Sequence, residues 1–274
     1  MAPRARDHIP VYDAERRLGV RLRHAIGLRQ TYDFGDVRYR ELSTERLKHA
    51  LSRKGRGHKD FDVTFRNAPP LRISATPRRV FADISGPRLL GVYQRAEPIL
   101  RPGMRALILS AGTGYAAEWI ASRVAPSGAV VALDDDEQSI SYAQRRYAIP
   151  NVSFEVGSID ALTGEIDSAF DAAMAVGAIP AGADPAHILA ELWRIVTPAG
   201  WLLVACPTHS GVRDGAACIP GDELMSTLTR VVAPAHGASD PAPGSPMRQT
   251  PTVSALGSER DGWAVVVALK PADE

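Results

Sequence analysis

Residues 105–114 read RALILSAGTG, and this stretch decides the expected fold. After Arg105, the apolar run through residue 109 is typical of a strand buried on both faces of a parallel sheet. The two glycines let the backbone turn sharply and approach a ligand, and residues 115–125 read as a helix whose first N–H groups can bind an anion. The stretch therefore predicts a strand, a turn and a helix that together can hold a ligand.

On the carboxyl side of this stretch, the sequence continues as strands that alternate with helices. Strands are predicted over 129–134, 152–156, 170–176 and 201–206, and helices over 136–148, 185–196 and 222–232. Such alternation predicts parallel strands joined by helical crossovers. The chain ends with two apolar segments, 252–256 and 262–271, that predict an antiparallel hairpin. We therefore expect an α/β fold: a Rossmann-like doubly wound sheet, mostly parallel, with a terminal antiparallel strand.

The first third of the chain has a different pattern. Residues 60–65 alternate as a strand should, and residues 71–75 and 78–85 continue in that style. A short helix is expected after Thr44, and an amphipathic helix is expected over 89–100. We predict two domains: a basic, partly β-rich N-terminal region over 1–88, and the ligand-binding α/β domain over 89–274.

Charge is distributed unevenly along the chain, although the net charge is only +1. Residues 1–105 carry 23 Lys and Arg against 11 Asp and Glu, whereas the remainder carries 9 against 20. A basic region of this kind can attract nucleic acid, and the run RKGRGHK (53–59) can grip phosphates. It can equally be a solvated face, or dock on the acidic part of its own chain or of a second copy, so a homo-oligomer stays open.

Other features narrow the class of protein. No apolar run approaches the roughly 18–20 residues that a membrane-spanning helix needs, and the first residues lack the apolar core of a secretory signal. The two cysteines, Cys206 and Cys218, fit no zinc spacing, and Cys206 is expected to be a buried core thiol. We expect a cytoplasmic protein with no metal site and no membrane partner.

An acidic residue stands at the end of the second predicted strand, about 20 residues after the glycine turn. A carboxylate in this position, here Asp134, can accept hydrogen bonds from both hydroxyls of a ribose. Together with the glycine turn and the strand–helix–strand frame, Asp134 predicts a cofactor that contains a nucleoside.

From residue 106 to the end of the predicted hairpin, the sequence resembles the class I S-adenosylmethionine-dependent methyltransferases, whose fold also ends in an antiparallel hairpin. The resemblance implies S-adenosyl-L-methionine as cofactor. It implies that the turn holds the methionine part, formed by Ser110, Ala111, Gly112, Thr113 and Gly114. Asp134 would bind the ribose, and Asp135 with Asp136 would flank the adenine. Further implied contacts are Ser158, Ile159 and Asp160 with the adenine ring, and Val176 and Gly177 with the reacting methyl.

Two positions depart from the family pattern. The family places an acidic residue where this chain has Ile108, and a glycine where it has Ser110. The acid normally helps to orient the amino-acid end of the cofactor. Its loss leaves open a binding protein that has kept the fold and lost the reaction.

The acceptor of the methyl group is less constrained. Residues 184–204 resemble small-molecule enzymes of the quinone-biosynthesis type, and residues 102–114 resemble tRNA 1-methyladenosine methyltransferases. The segment 170–180 lacks the Asn/Asp-Pro-Pro-aromatic signature of enzymes that methylate nucleic-acid amino groups. We therefore expect a methyltransferase with an unidentified, small-molecule acceptor. An RNA methyltransferase that uses the basic N-terminal region as a clamp is the alternative.

The sequence does not identify a catalytic base, and methyl transfer from a sulfonium needs none. His187, near the start of a predicted helix, and His209, just after the fifth strand of the predicted α/β domain, are the weak candidates.

Overall fold

A computed structural model describes residues 31–33, 37–41, 59–75, 90–158, 167–209, 216–233, 250–256 and 262–272. The chain divides into two compact units, Met1–Pro87 and Arg88–Glu274. In the first unit, four strands form an antiparallel sheet in sequential order: β1 (Thr31–Asp33), β2 (Val37–Glu41), β3 (Lys59–Phe65) and β4 (Leu71–Ala75). The strands expected at 60–65 and 71–75 are present, and the sequence did not reveal β1 and β2. The helix expected after Thr44 and the strand expected over 78–85 lie outside the described residues.

The second unit contains a seven-stranded sheet in the order β10-β11-β9-β8-β5-β6-β7. Strands β5 to β9 are parallel, and β11 runs antiparallel to both β9 and β10. The predicted Rossmann-like α/β fold with an antiparallel end is therefore confirmed. In chain order the elements are β5 (Arg105–Leu109), α1 (Tyr115–Val124), β6 (Ala129–Asp134), α2 (Glu137–Arg146), β7 (Val152–Val156), β8 (Phe170–Val176), α3 (Pro185–Ile195), β9 (Val196–Pro207), α4 (Gly221–Val232), β10 (Thr252–Ala255) and β11 (Trp263–Leu269).

Strand β5 is covered on both faces, which explains its continuous apolar run. Ile108 packs on the face covered by α1 and α2, in one cluster with Ile120 of α1. Leu107 packs on the opposite face, in a second cluster with Leu192 of α3. Successive side chains of a strand point to opposite faces, so only a strand in the middle of a doubly covered sheet needs every residue to be apolar.

Polar side chains fix the ends of the helices. Asp184 precedes α3 and accepts a hydrogen bond from the N–H of Ala186 at 2.9 Å, with Pro185 in the first turn. At the other end of α3, the Lys270 ammonium donates to the carbonyl oxygens of Trp193 at 3.1 Å and Val196 at 2.7 Å. A cation that bonds the last carbonyls of a helix also opposes the negative end of its dipole.

Two elements differ from their predicted limits. Strand β9 begins at Val196, directly after α3, and its pairing with β8 shifts register between Phe170 and Ala172. Ala199 has a φ of 59° in this irregular stretch, which precedes the predicted strand 201–206. The helix expected over 89–100 is shorter: residues 90–93 are helical and the 3-10 turn Gln94–Ala96 follows. Pro98 prevents continuation because it lacks an amide hydrogen.

None of the helices in the described ranges is long and apolar enough to cross a membrane. Likewise, those ranges hold no group of three or more His, Cys, Asp or Glu residues that could bind a metal ion.

The two cysteines have opposite environments. Cys206 of β9 is 1% exposed, which confirms the expected core thiol, whereas Cys218 is exposed. Burial raises the pKa of the Cys206 thiol to about 12, with a smaller contribution from the neighbouring Cys218 thiol. The reactive species of a cysteine is the thiolate, so Cys206 should be inert at neutral pH.

We expect Ellman's reagent at pH 8 to label one thiol rapidly in the folded protein and both thiols in guanidinium chloride. The variant Cys218→Ser should lose the rapid labelling of the folded protein and keep the labelling of Cys206 in guanidinium chloride. Labelling of Cys206 at a rate similar to that of Cys218 would contradict the burial of the strand.

Candidate functional site

The strand order places a crevice at the carboxyl end of β5. This strand lies between β6, which follows it through α1, and β8, which comes later in the chain. Open α/β sheets bind ligands outside the carboxyl ends of their strands where the strand order reverses, and the gap between β5 and β8 is that point here. The turn Ser110–Gly114 follows β5, and Gly177 follows β8.

The two glycines of the turn have different roles. Gly112 has a φ of 57°, and a Cβ atom added to it would meet nothing within 4 Å, so its outer side is open. Gly114 has a φ of 83° and lies at the start of α1, where an added Cβ would lie 2.7 Å from Phe154 Cε1 and 2.8 Å from Ala143 Cβ. Gly114 therefore permits close packing of α1, whereas Gly112 leaves backbone accessible to a ligand.

Asp134 joins three segments at this edge of the sheet. Its side chain is at the end of β6, and the residue is only 7% exposed. Oδ2 accepts a hydrogen bond from the N–H of Gly112 at 2.7 Å, and Oδ1 accepts one from the N–H of Asp136 at 3.0 Å. Its backbone carbonyl accepts the N–H of Gly157, after β7, at 3.0 Å. The residue thus connects the glycine turn, the start of α2 and the end of β7.

The two following carboxylates differ from each other. Asp135 is exposed, while Asp136 is partly buried and precedes α2, where it accepts hydrogen bonds from Gln138 N–H at 3.1 Å and Ser139 Oγ at 2.8 Å. Asp136 is therefore a helix cap in this structure. Ser158, which is partly buried, comes directly after Gly157. The other two residues expected near an adenine, Ile159 and Asp160, lie outside the described residues.

The end of β8 offers backbone rather than side chains. Val176, expected near the reacting methyl, is completely buried in the core of the ligand-free chain. Gly177 has a φ of 60°, and its N–H donates to the carbonyl of Ala205 on β9 at 2.7 Å. Three residues after Gly177, Pro180 forms an isolated antiparallel β-bridge with Ala216. The sequence did not reveal this bridge, because residues that pair outside regular strands leave no periodic pattern.

The two positions that depart from the family pattern behave differently. Ile108 is completely buried, with Ala132 and Met174 as its partners on the two neighbouring strands, so it is a core residue. Ser110 is partly buried and has a φ of 58°, in the left-handed region that glycine adopts without strain.

Both candidate histidines are exposed. His187 lies in the first turn of α3, and His209 lies two residues beyond β9, where its Nδ1 is 3.2 Å from Thr208 Oγ1. The structure brings Gly112, Asp134 and Asp136 into direct contact, and it gives neither histidine a contact with these three residues among the hydrogen bonds of the described chain. The histidines therefore remain weak candidates.

The left-handed backbone at Ser110 leads to a stability prediction. Ser110→Gly should raise the free energy of unfolding by up to about 1 kcal/mol, since relief of strain exceeds the entropy gained by the unfolded chain. Ser110→Val should lower it by about 1–2 kcal/mol, because a β-branched side chain is disfavoured there. Chemical denaturation measures both changes.

Ala199→Gly is the matched control, since Ala199 has a φ of 59° in β9, remote from the glycine turn. It should raise stability like Ser110→Gly, whereas only changes at Ser110 should alter ligand binding. If Ser110→Gly lowered stability while Ala199→Gly raised it, the side chain of Ser110 would contribute more than its backbone costs.

Comparisons with known proteins agree with this geometry. Residues 107–204 match the family described as methyltransferase domain. A protein of 37.1 kDa from transposon TN4556 of Streptomyces fradiae is 37% identical over 108 residues, which are 39% of this chain and 31% of that protein. Trans-aconitate 2-methyltransferase of Deinococcus radiodurans is 32% identical over 143 residues, which are 51% of this chain and 53% of that enzyme.

A third relative is phthiotriol/phenolphthiotriol dimycocerosates methyltransferase 1 of Mycobacterium ulcerans, 30% identical over 115 residues, which are 42% of each chain. The chain thus spans from about a third to about half of the length of these relatives. The matched segment begins in β5 and ends in β9, so it covers the glycine turn, Asp134 and Gly177. With the parallel sheet and its antiparallel end, this match shows that the second unit has the α/β Rossmann-like methyltransferase fold.

Proposed function

We propose that this domain binds S-adenosylmethionine and transfers its methyl group to a small-molecule acceptor. The observation that carries the proposal is the accessible turn at the point where the strand order reverses. Gly112 exposes backbone in open space there, and the buried carboxylate of Asp134 holds the turn from the neighbouring strand. A glycine turn beside a strand-end acid is the arrangement that holds nucleoside cofactors in sheets of this kind.

The residues present fit this cofactor. The turn Ser110–Gly114 and the start of α1 would hold the amino-acid end, because the first N–H groups of a helix and its dipole favour a carboxylate. Gly114, as the residue before α1, has no side chain with which to bond those N–H groups. Asp134 would face the ribose, Asp135 and Ser158 the adenine, and the backbone of Gly177 the reacting methyl.

When bound, S-adenosylmethionine supplies a methyl group that is already activated by its positive sulfur. The protein then has to hold the acceptor in line with that methyl and exclude water, which are effects of position rather than of acid–base chemistry. His209 follows β9 at the same edge of the sheet and is the candidate to contact an acceptor. His187 is the second candidate, in the first turn of α3.

The proposal of a small acceptor is supported by two observations. Two relatives are named as methyltransferases of small molecules, trans-aconitate and phthiotriol dimycocerosates. The chain that leaves β8 at residues 177–180 reads Gly-Ala-Ile-Pro, and it carries no carboxylate, amide or aromatic side chain with which to read a base.

Gly112→Ala tests the cofactor site. Isothermal titration should give micromolar binding of S-adenosylhomocysteine to the native protein, and the variant should bind at least about tenfold more weakly, since a methyl group would occupy the open side of the turn. The same variant should lose about 1 kcal/mol of unfolding free energy, because alanine is strained at a φ of 57°.

Gly103→Ala is the matched control. Gly103 has a φ of 92° at the opposite end of β5, and a Cβ there would make only an ordinary contact, 3.4 Å from Ser127 Oγ. The variant Gly103→Ala should lose a similar unfolding free energy and keep its affinity for S-adenosylhomocysteine. Equal losses of affinity in the two variants would contradict the proposed site. Binding of the cofactor without methyl transfer to any acceptor would favour a binding protein that has kept the fold and lost the reaction.

An RNA methyltransferase is the second candidate, and the excess of 23 basic over 11 acidic residues in residues 1–105 favours it. The described sheet does not concentrate this excess. In its pairing, Arg38 lies opposite Asp33 and Arg40 opposite Asp62, and Arg72 Nε is 3.4 Å from Asp62 Oδ1. Any excess of positive charge therefore comes from other parts of the region.

Binding of the full chain to fluorescently labelled tRNA and single-stranded RNA, followed by fluorescence anisotropy at 50 and 200 mM salt, separates the candidates. An RNA enzyme should bind, with affinity that falls roughly 10³-fold or more over this range if several phosphates are contacted. The small-molecule proposal expects no such binding. Tight, salt-dependent binding of tRNA would overturn it.

A further inference from the structure

We infer that Asp134 is the positioning residue of the glycine turn. The inference deepens the proposed function and rests on it for the ligand that the turn would hold. It assigns to Asp134 a role besides contact with the ribose: the carboxylate sets the conformation of the turn that receives the amino-acid end of the cofactor.

The geometry supports this role directly. Both side-chain oxygens of Asp134 accept backbone N–H groups, from Gly112 in the turn at 2.7 Å and from Asp136 before α2 at 3.0 Å. The N–H of the preceding turn residue, Ala111, donates to the carbonyl of Leu133 at 2.8 Å. Two successive N–H groups of the turn are thus bonded to the last two residues of β6.

The residue at position 108 cannot supply this contact. Ile108 has no polar atom in its side chain, and it is completely buried on the face of the sheet that α1 and α2 cover. An ionised carboxylate is a pure acceptor with two oxygens, so a single aspartate can hold two N–H groups at once. Such charge-assisted bonds are shorter and stronger than neutral ones. Asp134 is the carboxylate in contact with the turn, through Gly112.

A consequence follows for binding. If the carboxylate that faces the ribose also fixes the conformation of the turn, its loss should weaken contacts with the amino-acid end of the cofactor, which the turn would hold. A residue that only bonds the ribose would affect the nucleoside part alone. The two roles therefore predict different losses for ligands with and without the amino-acid end.

The first measurement uses the ligand-free protein and does not depend on cofactor binding. Asp134→Asn keeps one acceptor oxygen and replaces the other with a donor NH₂ group, so it can retain only one of the two bonds. We expect amide hydrogen exchange at Gly112 or Asp136 to accelerate by about tenfold or more. Unchanged exchange at both amides would overturn the inference, whether or not the domain binds S-adenosylmethionine.

The second measurement compares two ligands by isothermal titration: S-adenosylhomocysteine, and 5′-methylthioadenosine, which has the ribose and adenine but lacks the amino-acid end. Asp134→Asn should weaken binding of S-adenosylhomocysteine at least about fivefold more than binding of 5′-methylthioadenosine. Equal losses for the two ligands would assign Asp134 to the ribose alone and overturn the inference. Failure of the native protein to bind either ligand would refute the proposed function instead, and the exchange measurement would still test the bond to the turn.

Asp171→Asn is the matched control. The Asp171 carboxylate bonds the N–H of Arg105 at 2.7 Å and Thr197 Oγ1 at 3.3 Å, at the opposite end of β5. This variant should accelerate exchange at Arg105 and lower stability, yet leave exchange at Gly112 and the ratio of the two affinities unchanged. A change in that ratio equal to the one in Asp134→Asn would mean that any loss of stability produces it, and would overturn the positioning role.

Discussion

The hydrogen bond between the Asp134 carboxylate and the N–H of Gly112 is the contact on which the candidate site depends, because it ties the glycine turn to the end of strand β6. The turn contains three residues with positive φ, Ser110, Gly112 and Gly114, and this conformation is disfavoured for Ser110. A carboxylate that is almost fully buried must be compensated by donors, and the backbone supplies them here. The cost of burying this charge is therefore offset by the same bonds that fix the turn.

Burial of β5 on both faces restricts which side chains this strand can carry beside the glycine turn. A strand covered on both faces favours apolar side chains, and Ile108 is completely buried in the core. The neighbouring strand β6 ends in an aspartate that reaches the turn, because parallel strands with matched ends bring their carboxyl termini together.

Among the described residues, the carboxyl ends of β5 and β8 present mainly backbone to the ligand of the proposed function. Glycines lie in the turn after β5 and directly after β8. The polar residues that follow β6 bond to the backbone of the next helix. Methyl transfer from a sulfonium is compatible with such a site, since the donor carries the reactivity and position does most of the work. Recognition of the acceptor then depends on segments that vary among members of a superfamily, which is why the fold leaves the acceptor open.

The sequence by itself determined the order of strands and helices in the second domain, because buried strands such as 105–109 and 170–176 are apolar without interruption and helices such as α3 alternate at a period of 3.6 residues. It also indicated Gly112 and Asp134 as candidate site residues, since the interval between a glycine turn and a strand-end acid follows from the strand–helix–strand unit. Only the tertiary structure decided that Asp134 bonds Gly112, that Asp136 caps α2, and that β9 starts at Val196 with a shift of register. These outcomes depend on which backbone atoms meet when separate strands align, and local propensity carries no information about such distant contacts.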